Sequence, residues 1–392
     1  MALTGSADGP LLAAPCALVD LVDHAAEVLG RHGAGGIRVD GLALLGERAA
    51  LAHLTRRGAV SCGGGARLVS AADGWLAVSL SRPEDVAALP AWLGREVPAQ
   101  DPWPAVGDAA AGVASSVLDE RAALLGLPIA ALSSVAPPAA GVFDLPVEAV
   151  RLDGRGAAPL PIAGALVVDL SALWAGPLCG QLLAAAGARV IKVESTGRPD
   201  GARRGPAAFF DLLNGAKRSV ALDLASVPGR RQLRAVVGAA DVVIESARPR
   251  ALQQMGIDAL EVLRGHRSPR VWASITSHGR GPGRCQRVGF GDVAAVAGGL
   301  VAGDVAAPCF LADAVADPLA GMVTAAAVLE ALSAGGRWLI DAAMAPMAAS
   351  AAGPPFVEVR GQRARPPRAR PVDRRAPALG SDTASVLAEL LS

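Results

Sequence analysis

A strand–helix–strand pattern near the middle of the chain constrains the fold most strongly. Residues 165–170 form an apolar run interrupted only by Asp169, and residues 190–194 form a second apolar run. Between them, residues 177–186 have the character of a helix, which Gly187 ends. Two strands joined by one helix over so short a stretch lie side by side and parallel. The sequence therefore predicts a parallel sheet covered by helices.

The same alternation continues through the second half of the chain. Further strands are predicted at 219–222, 241–245, 271–276 and 338–342, and helices at 226–238, 256–264, 290–301, 317–333 and 382–391. Strands that alternate with helices in this way are typical of a doubly wound sheet. The predicted fold class is therefore α/β, with a Rossmann-like parallel-sheet domain.

The first part of the chain indicates a smaller α+β domain. A helix is predicted over 17–31, strands over 67–70 and 75–81 joined at an Asp-Gly turn, and helices over 83–93 and 108–125. A proline-rich stretch follows, and a chain of 392 residues exceeds what one core usually supports. We therefore divide the chain into a small domain (1–140), a linker (141–162), a Rossmann-like catalytic domain (163–345) and a C-terminal extension that completes the large domain (346–392).

The composition excludes several classes of protein. Lys and Arg number 37 against 36 Asp and Glu, and aromatic residues make up 3%, so we expect no nucleic-acid binding by bulk charge or base stacking. Neither the cysteines nor the histidines have metal-ligand spacing, so no metal site is predicted. Glycine and proline interrupt the uncharged stretches 122–143 and 171–188, so no membrane span is predicted. An odd number of cysteines, 5, without a signal peptide is typical of a reduced, cytoplasmic protein.

The loop after the first parallel strand does not match a dinucleotide site. Residues 170–177 lack the G-x-G-x-x-G pattern that lets the backbone approach a pyrophosphate. Glu194 stands where an acid could bind a ribose, although an ordinary charge at a strand end explains it better. The glycine-rich segment 279–283 contains a proline and precedes no clear helix, so it favours a loop over a phosphate cradle.

Three other features could carry chemistry, and each has a purely structural alternative. Asp317 precedes a proline and an apolar helix, which is the pattern of an N-cap, and Asp313 is its nearest competitor for a catalytic role. Gly63–Gly65 could form a mobile lid or a simple loop before a strand. Arg248 and Arg287 lie beyond predicted strand ends, where they could hold phosphates or be ordinary surface arginines.

Short motifs in the second half of the chain are specific when taken together and in order. They are Val168-Asp169-Leu170-Ser171, Gly187-Ala188-Arg189-Val190-Ile191-Lys192-Val193-Glu194, Asn214-Gly215-Ala216-Lys217-Arg218-Ser219, Ala240-Asp241-Val242-Val243-Ile244-Glu245, Arg287-Val288-Gly289-Phe290 and Val315-Ala316-Asp317. This order resembles the class III CoA-transferases, the family of formyl-CoA and carnitine CoA-transferases and of α-methylacyl-CoA racemases. The resemblance covers residues 163–345 and 376–391.

The segment that resembles the family's small domain stands in an unusual place. Gly63–Gly65 followed by Ala72-Asp73-Gly74-Trp75 resembles the glycine loop and first strands of that domain, which in the family follows the late strand near Asp341. Residues 1–10 resemble the family stretch shortly before the catalytic aspartate. The chain therefore resembles the tail of one copy joined to the core of another.

The resemblance implies a nucleophile, a lid and a set of CoA contacts. It makes Asp317 the nucleophile, and it makes Gly63, Gly64 and Gly65 a loop that closes over the intermediate. The implied CoA contacts are Trp174, Ala175, Leu222, Asp223, Leu224, Ser246, Ala247, Arg248 and Arg287. Gln254 replaces a family arginine, and Phe290 replaces the racemase histidine, so we favour a transferase over a racemase.

The resemblance thus implies transfer of CoA from an acyl-CoA thioester to a carboxylic acid through an aspartyl anhydride and an aspartyl-CoA thioester. No permanently bound cofactor is expected, since coenzyme A is a substrate. Subunits of the family interlock in pairs, so a homodimer is expected. Two alternatives stay open: an α-methylacyl-CoA racemase-like enzyme with another base, and a non-catalytic partner subunit of another CoA-transferase.

Overall fold

A computed structural model describes residues 2–32, 38–138, 141–152, 157–246, 249–265, 269–353, 358–359 and 364–391. Its helices are α1 (Cys16–His32), α2 (Gly41–Leu44), α3 (Glu47–Leu51), α4 (Pro83–Ala87), α5 (Leu89–Leu93), α6 (Trp103–Ala110), α7 (Ser115–Leu125), α8 (Ala175–Ala185), α9 (Ala207–Asn214), α10 (Val227–Ala239), α11 (Pro249–Gln254), α12 (Ala259–Arg264), α13 (Gly291–Ala297), α14 (Ala316–Ala334), α15 (Met344–Ala351) and α16 (Thr383–Leu391). Its strands are β1 (Leu11–Leu12), β2 (Ala66–Ser70), β3 (Trp75–Ser79), β4 (Ile129–Ala131), β5 (Glu148–Arg151), β6 (Leu166–Asp169), β7 (Arg189–Ser195), β8 (Arg218–Leu222), β9 (Val242–Glu245), β10 (Val271–Thr276), β11 (Val301–Asp304), β12 (Ala307–Phe310), β13 (Trp338–Ala343) and β14 (Glu358–Val359).

The large sheet has seven strands in the order β5-β13-β10-β9-β6-β7-β8. All neighbours pair in parallel except β5, which is antiparallel to β13. Numbered along the chain, the parallel strands stand in the order 3-2-1-4-5-6, which is the arrangement of a doubly wound Rossmann sheet. The predicted α/β fold class is confirmed.

Alternate side chains of the central strands supply two separate cores. Val167 and Val242 pack in a cluster with residues of α8 and α14 on one face of the sheet. Val168 and Val243 pack with residues of α10 and α12 on the other face. Because successive side chains of a strand point to opposite faces, the continuous apolar runs of the sequence are those of strands buried on both sides.

The long helix α14 is buried along most of its length and packs against α8 and α1. It is long and apolar enough to cross a membrane by length and composition alone, and 83% of its apolar window is buried inside the protein. A helix that is apolar on all sides fits the centre of a large core. The apolar character of α14 is therefore explained by its place in the fold.

The small sheet consists of β2, β3 and β4 in antiparallel order. The predicted hairpin is confirmed, with Ser70 opposite Trp75 at the turn. Leu76, Leu89 and Trp92 belong to a core of its own, which α5, α6 and α7 help to enclose. This part of the chain is therefore an α+β unit with a separate hydrophobic centre.

Two helices predicted in the small domain are each divided. The helix predicted over 83–93 is α4 followed by α5, because Pro90 lies in the first turn of a new helix and supplies no N–H. The helix predicted over 108–125 is interrupted between Ala110 and Ser115, next to Gly112. Apolar periodicity continues across both breaks, so it did not indicate them.

The domain division differs from the predicted one at the start of the chain. Residues 1–140 are predicted to form one small domain, whereas α1 packs against α14 and α15. Leu18, Val22 and Ala25 are fully buried in the core of the large unit. The apolar stripe of α1 gives no sign of which core it joins, because periodicity identifies a buried face but not its partner.

The predicted linker contributes a strand to the large sheet. Within 141–162, β5 pairs with β13 at the edge of the sheet, with Ala149 opposite Ile340. Most of β5 is exposed, so it lacks the apolar run that marks the central strands. In the C-terminal extension (346–392), α16 packs on β8 and α10, and Val386 lies in the core that they share.

Candidate active site

Asp317 lies in the first turn of α14, next to the start of α13. The helix begins at Ala316, so Asp317 is inside the helix and is not its N-cap. The Gly291 N–H donates to Asp317 Oδ2 at 3.1 Å. A Cβ at Gly291 would lie 2.4 Å from the same oxygen, so the close approach requires glycine. Asp317 remains partly exposed.

Asp313, the other candidate for the catalytic role, is fully buried, and both of its oxygens are bound by an arginine. Arg48 Nε donates to Asp313 Oδ2 at 2.8 Å, and Arg48 Nη2 donates to Oδ1 at 2.5 Å. Both carboxylate oxygens of Asp313 are held by one guanidinium, which is the strongest geometry for this kind of pair. Asp317 forms no salt bridge within the described ranges, so it is the better placed of the two for chemistry.

Arg48 comes from α3, far from Asp313 in the sequence. Its guanidinium lies over the Trp174 ring, 4.9 Å from the centroid, and Trp174 meets Phe209 edge-on at 5.2 Å. Burial disfavours the charge of Arg48, but the hydrogen bond and charge of Asp313 outweigh it and raise the pKa of the guanidinium. The sequence motifs did not indicate Arg48, because a contact between distant segments leaves no local pattern.

Asp292 is a third carboxylate at the site, which the sequence motifs also missed. Its Oδ1 accepts a hydrogen bond from the Ala314 N–H at 3.1 Å. Burial, followed by the charge of Asp313, raises the pKa of Asp292 to about 7. Burial also raises the pKa of Asp317 to about 6, although Arg48 and the Gly291 N–H favour its charged form.

The backbone before Asp317 is held in an uncommon conformation. Ala312 and Ala314 have φ of 53° and 44°, in the left-handed region that residues with a Cβ seldom adopt. Thr4 Oγ1 accepts from the Ala312 N–H at 3.2 Å, and Cys62 Sγ donates to the Ala312 carbonyl at 3.2 Å. Strained backbone of this kind persists only where neighbours hold it, and it concentrates at functional sites.

The glycine loop lies beside this turn in the same chain. Gly63 follows Cys62 directly, and a Cβ on Gly63 would be 3.6 Å from Arg48 Nη2. Gly64 has φ of +78°, in the left-handed region that favours glycine, and a Cβ there would be 2.9 Å from Arg57 Nη1. The Gly64 N–H donates to the Ser61 carbonyl at 2.8 Å.

Trp174 and Ala175 lie at the carboxyl edge of the sheet, where the strand order reverses between β6 and β9. Both are buried at the start of α8. The Ala172 N–H donates to Ser246 Oγ at 3.1 Å, which ties the loop after β6 to the end of β9. Ligands of open α/β sheets bind in the crevice at such a reversal.

Two buried ion pairs fix the loop after β6. Lys217 Nζ lies 2.8 Å from Asp169 Oδ2, and Lys192 Nζ lies 2.9 Å from Asp200 Oδ2. Asp200 Oδ1 also accepts from the Leu173 N–H at 3.0 Å. These contacts hold the loop in place. Its sequence lacks the G-x-G-x-x-G pattern of a dinucleotide site.

The other predicted CoA contacts are more dispersed. Leu222 ends β8 at the outer edge of the sheet, and Asp223 and Leu224 follow it. Asp223 Oδ1 accepts from the Ala225 N–H at 3.1 Å. Ala247 and Arg248 lie outside the described residues. Arg287 forms an ion pair with a residue of the small unit.

Arg287 Nη1 donates to both carboxylate oxygens of Asp119, at 2.9 and 3.0 Å. Asp119 belongs to α7, so the pair joins the small unit to the loop after β10. A phosphate at this position would therefore have to share the Arg287 guanidinium with Asp119.

Comparison with known proteins gives one family match and several partial relatives. The model of CoA-transferase family III matches residues 162–383. The chain is 33% identical to succinyl-CoA–D-citramalate CoA-transferase of Chloroflexus aurantiacus over 150 residues, covering 36% of this chain and 37% of that protein. It is also 33% identical to a probable fatty acyl-CoA transferase of Mycobacterium tuberculosis over 184 residues, covering 44% and 46% of the two chains.

A crystal structure of a CAIB/BAIF family protein from Brucella suis is similar to part of the chain. It is 31% identical, covers 49% of this chain and 55% of that one, and has a TM-score of 0.42. The chain spans less than half the length of the two curated relatives named above.

Proposed function

Because the chain belongs to CoA-transferase family III, we propose that it moves CoA from an acyl-CoA thioester to a carboxylic acid with Asp317 as the nucleophile. The observation that carries the proposal is the contrast between two carboxylates. Asp313 is fully buried against Arg48, whereas Asp317 is partly exposed and held by a backbone N–H. Asp317 is therefore the carboxylate that a substrate can reach.

The proposed reaction proceeds by displacements at carbonyl carbon. The Asp317 carboxylate attacks the thioester, and CoA leaves as a thiolate while an aspartyl-acyl anhydride forms. The thiolate then attacks the aspartyl carbonyl, which releases the donor acid and leaves an aspartyl-CoA thioester. The acceptor carboxylate repeats these two steps in reverse and leaves as the new acyl-CoA, which restores Asp317.

Three properties of the site support this sequence of steps. A pKa of about 6 keeps Asp317 mostly ionised at neutral pH while its nucleophilicity exceeds that of an ordinary aspartate. The start of α14 favours negative charge on Asp317 and on nearby oxyanions. The glycine loop would cover the anhydride and exclude the water that hydrolyses it.

For CoA, we propose the crevice between the loops after β6 and β9. Trp174, Ala175 and Ser246 would line it, with Leu222–Leu224 nearby; Ala247 and Arg248 complete the proposed set. The start of α8, an eleven-residue helix, favours phosphate binding at this edge. Arg287 would contribute its remaining N–H groups to the ligand.

We also propose that the chain acts as a cytoplasmic homodimer in which each glycine loop serves its own Asp317. The contact of Cys62 with Ala312 in one chain supports that assignment of the loop. If the loop serves the Asp317 of its own chain, the dimer interface can form elsewhere on the molecule.

The test of function is transfer between acyl-CoA donors and carboxylic acids by Asp317→Asn and by a matched control, Asp258→Asn. Asp258 is the N-cap of α12, where Asn also caps well, so the control should keep its activity. We expect Asp317→Asn to fold and to bind CoA but to lose transfer. Normal transfer by Asp317→Asn would overturn the assignment, and α-proton exchange in D₂O without an acceptor acid would favour the racemase.

A further inference from the structure

A buried histidine outside the Asp317 site has no partner for either ring nitrogen. His278 lies just after β10 and is 3% exposed. In the described part of the chain, neither Nδ1 nor Nε2 forms a hydrogen bond. A buried polar group without a partner typically costs ~1–3 kcal/mol, and few occur in native structures. The imidazole is therefore placed for a partner that the chain does not supply.

The imidazole lines a cleft of about 490 Å³, a size typical of small-molecule sites. Its apolar walls come from residues 135–138 and from Pro346, and its other lining residues are polar or charged. The cleft thus combines an apolar surface with a few polar groups at defined places, which is the usual composition of a ligand site.

The charged groups of the cleft are largely matched within the protein. Arg287 is bound to Asp119, and Arg284 Nη1 lies 3.7 Å from Glu148 Oε1. Burial and the charge of Arg287 lower the pKa of His278 to about 4, so the ring is neutral at pH 7. A neutral imidazole offers one N–H donor and one acceptor nitrogen. The cleft is therefore suited to an uncharged group that both accepts and donates a hydrogen bond.

The cleft is close to the proposed nucleophile along one loop. Arg287 lines the cleft, and Gly291, four residues later, donates its N–H to Asp317. Four residues span at most ~14 Å even when fully extended. The backbone that joins the cleft to the Asp317 contact is therefore short, and a substrate as long as an acyl-CoA would have to extend along it to meet both.

We propose that this cleft binds an uncharged hydroxyl or amide group of the acyl-CoA substrate and that His278 is the residue that selects it. The inference rests on the proposed function, since it assigns a second contact to the same substrate. The group has two possible sources: a hydroxyl on the acyl chain or an amide of the pantetheine arm. A site built to bond such a group rejects ligands that lack it, because the histidine is then left unpaired.

The test measures binding in the Asp317→Asn chain, which cannot form the covalent intermediate, with 3-hydroxybutyryl-CoA, butyryl-CoA and free CoA as probes. His278→Phe should weaken binding by about tenfold or more, and His278→Gln, which keeps a donor and an acceptor, should restore part of it. Ser277→Ala is the matched control, since its hydroxyl is also buried and unpartnered but does not line the cleft. It should bind all three probes as the parent does.

The pattern of loss identifies the source of the group. A loss confined to 3-hydroxybutyryl-CoA assigns the acyl hydroxyl, whereas an equal loss for all three probes assigns the pantetheine amide. Binding of every probe by His278→Phe within twofold of the parent overturns the inference and leaves the proposed function standing. Failure of the parent to bind any probe overturns the proposed function and this inference with it.

A second measurement observes the His278 ring directly. Histidine is labelled with ¹⁵N in the Asp317→Asn chain, and the ring signals of His278 are those lost in His278→Gln. Addition of 3-hydroxybutyryl-CoA should shift both ring nitrogens of the neutral imidazole. Unchanged His278 signals at saturating ligand would also overturn the proposal.

Discussion

Among single residues, Arg48 decides how the acidic site is arranged. It binds both oxygens of Asp313 and stacks on Trp174, so three distant parts of the chain meet at one guanidinium. Without that cation, Asp313 would be a fully buried and unpaired charge. Removing one partner of such a pair costs far more than the pair contributes.

Replacement of Arg48 by Met should therefore lower the free energy of unfolding by roughly 3–5 kcal/mol. Urea unfolding measures the loss. Arg189→Met is the control, because its pair with Glu389 is largely exposed and should contribute at most ~1 kcal/mol. Equal effects of the two substitutions would show that Arg48 does not hold a buried charge.

The carboxylates of the site also predict how stability depends on pH. Aspartate titrates near pH ~3.9 in an unfolded chain, whereas Asp317 and Asp292 have pKa values of about 6 and about 7 in the folded protein. The folded state therefore binds more protons than the unfolded state between these values. Their contribution to stability is complete below pH ~4 and is lost as the pH rises to about 7.

Asp292→Asn should flatten the upper part of this dependence, since the amide has no proton to lose. It keeps the oxygen that accepts the Ala314 N–H, so the fold should remain. Unfolding followed by circular dichroism between pH 4 and 8 provides the measurement. An unchanged slope between pH 6 and 7 would contradict the assigned titration of Asp292.

At the scale of elements, the site depends on how closely α13 approaches α14. A Cβ on Gly291 would lie 2.4 Å from Asp317 Oδ2 and 2.4 Å from the Ala314 carbonyl oxygen. Gly291→Ala should therefore displace Asp317 and reduce the rate of transfer more than it reduces CoA affinity. Gly107→Ala in α6 is the control, because a Cβ there meets nothing within 4 Å. Steady-state kinetics of the two variants give the rate of transfer and the affinity for CoA. Normal turnover by Gly291→Ala would contradict the proposed packing.

The elements also show which features a sequence can reveal. The parallel strands were predictable, because burial on both faces leaves a nearly continuous apolar run, as in β6 and β9. The exposed edge strand β5 was not, since nothing in its sequence separates it from a linker. The hydrogen bond from the Gly291 N–H to Asp317 was not predictable either, because the two residues are far apart in the sequence.

For the whole molecule, the main departure from expectation is the place of the first helix. Residues 13–20 and 306–313 share the pattern Ala-Ala-Pro-Cys-x-Leu-x-Asp, which leads into α1 and α14. The two helices pack against each other in the large core. The repeated pattern relates the two segments but does not show that their helices pack together, and periodicity alone does not show it either.

The same arrangement predicts the result of mixing two inactive variants. Asp317→Asn and Gly64→Val each damage one part of the site, and in the structure both parts belong to one chain. If each loop serves its own Asp317, denaturing the two proteins together and refolding them should restore no activity. Recovery of transfer, measured alongside molecular mass by light scattering, would instead show that loop and nucleophile come from different chains.

The central claim, that Asp317 carries CoA covalently, is tested most directly by mass spectrometry of the protein during turnover. Rapid acid quenching after mixing with an acyl-CoA should reveal a gain in mass equal to CoA less water, located on the peptide that contains Asp317. Hydroxylamine should remove the adduct, and Asp317→Asn should never acquire it. The same adduct on Asp317→Asn or on Asp313, or sustained transfer with no adduct at all, would contradict the account.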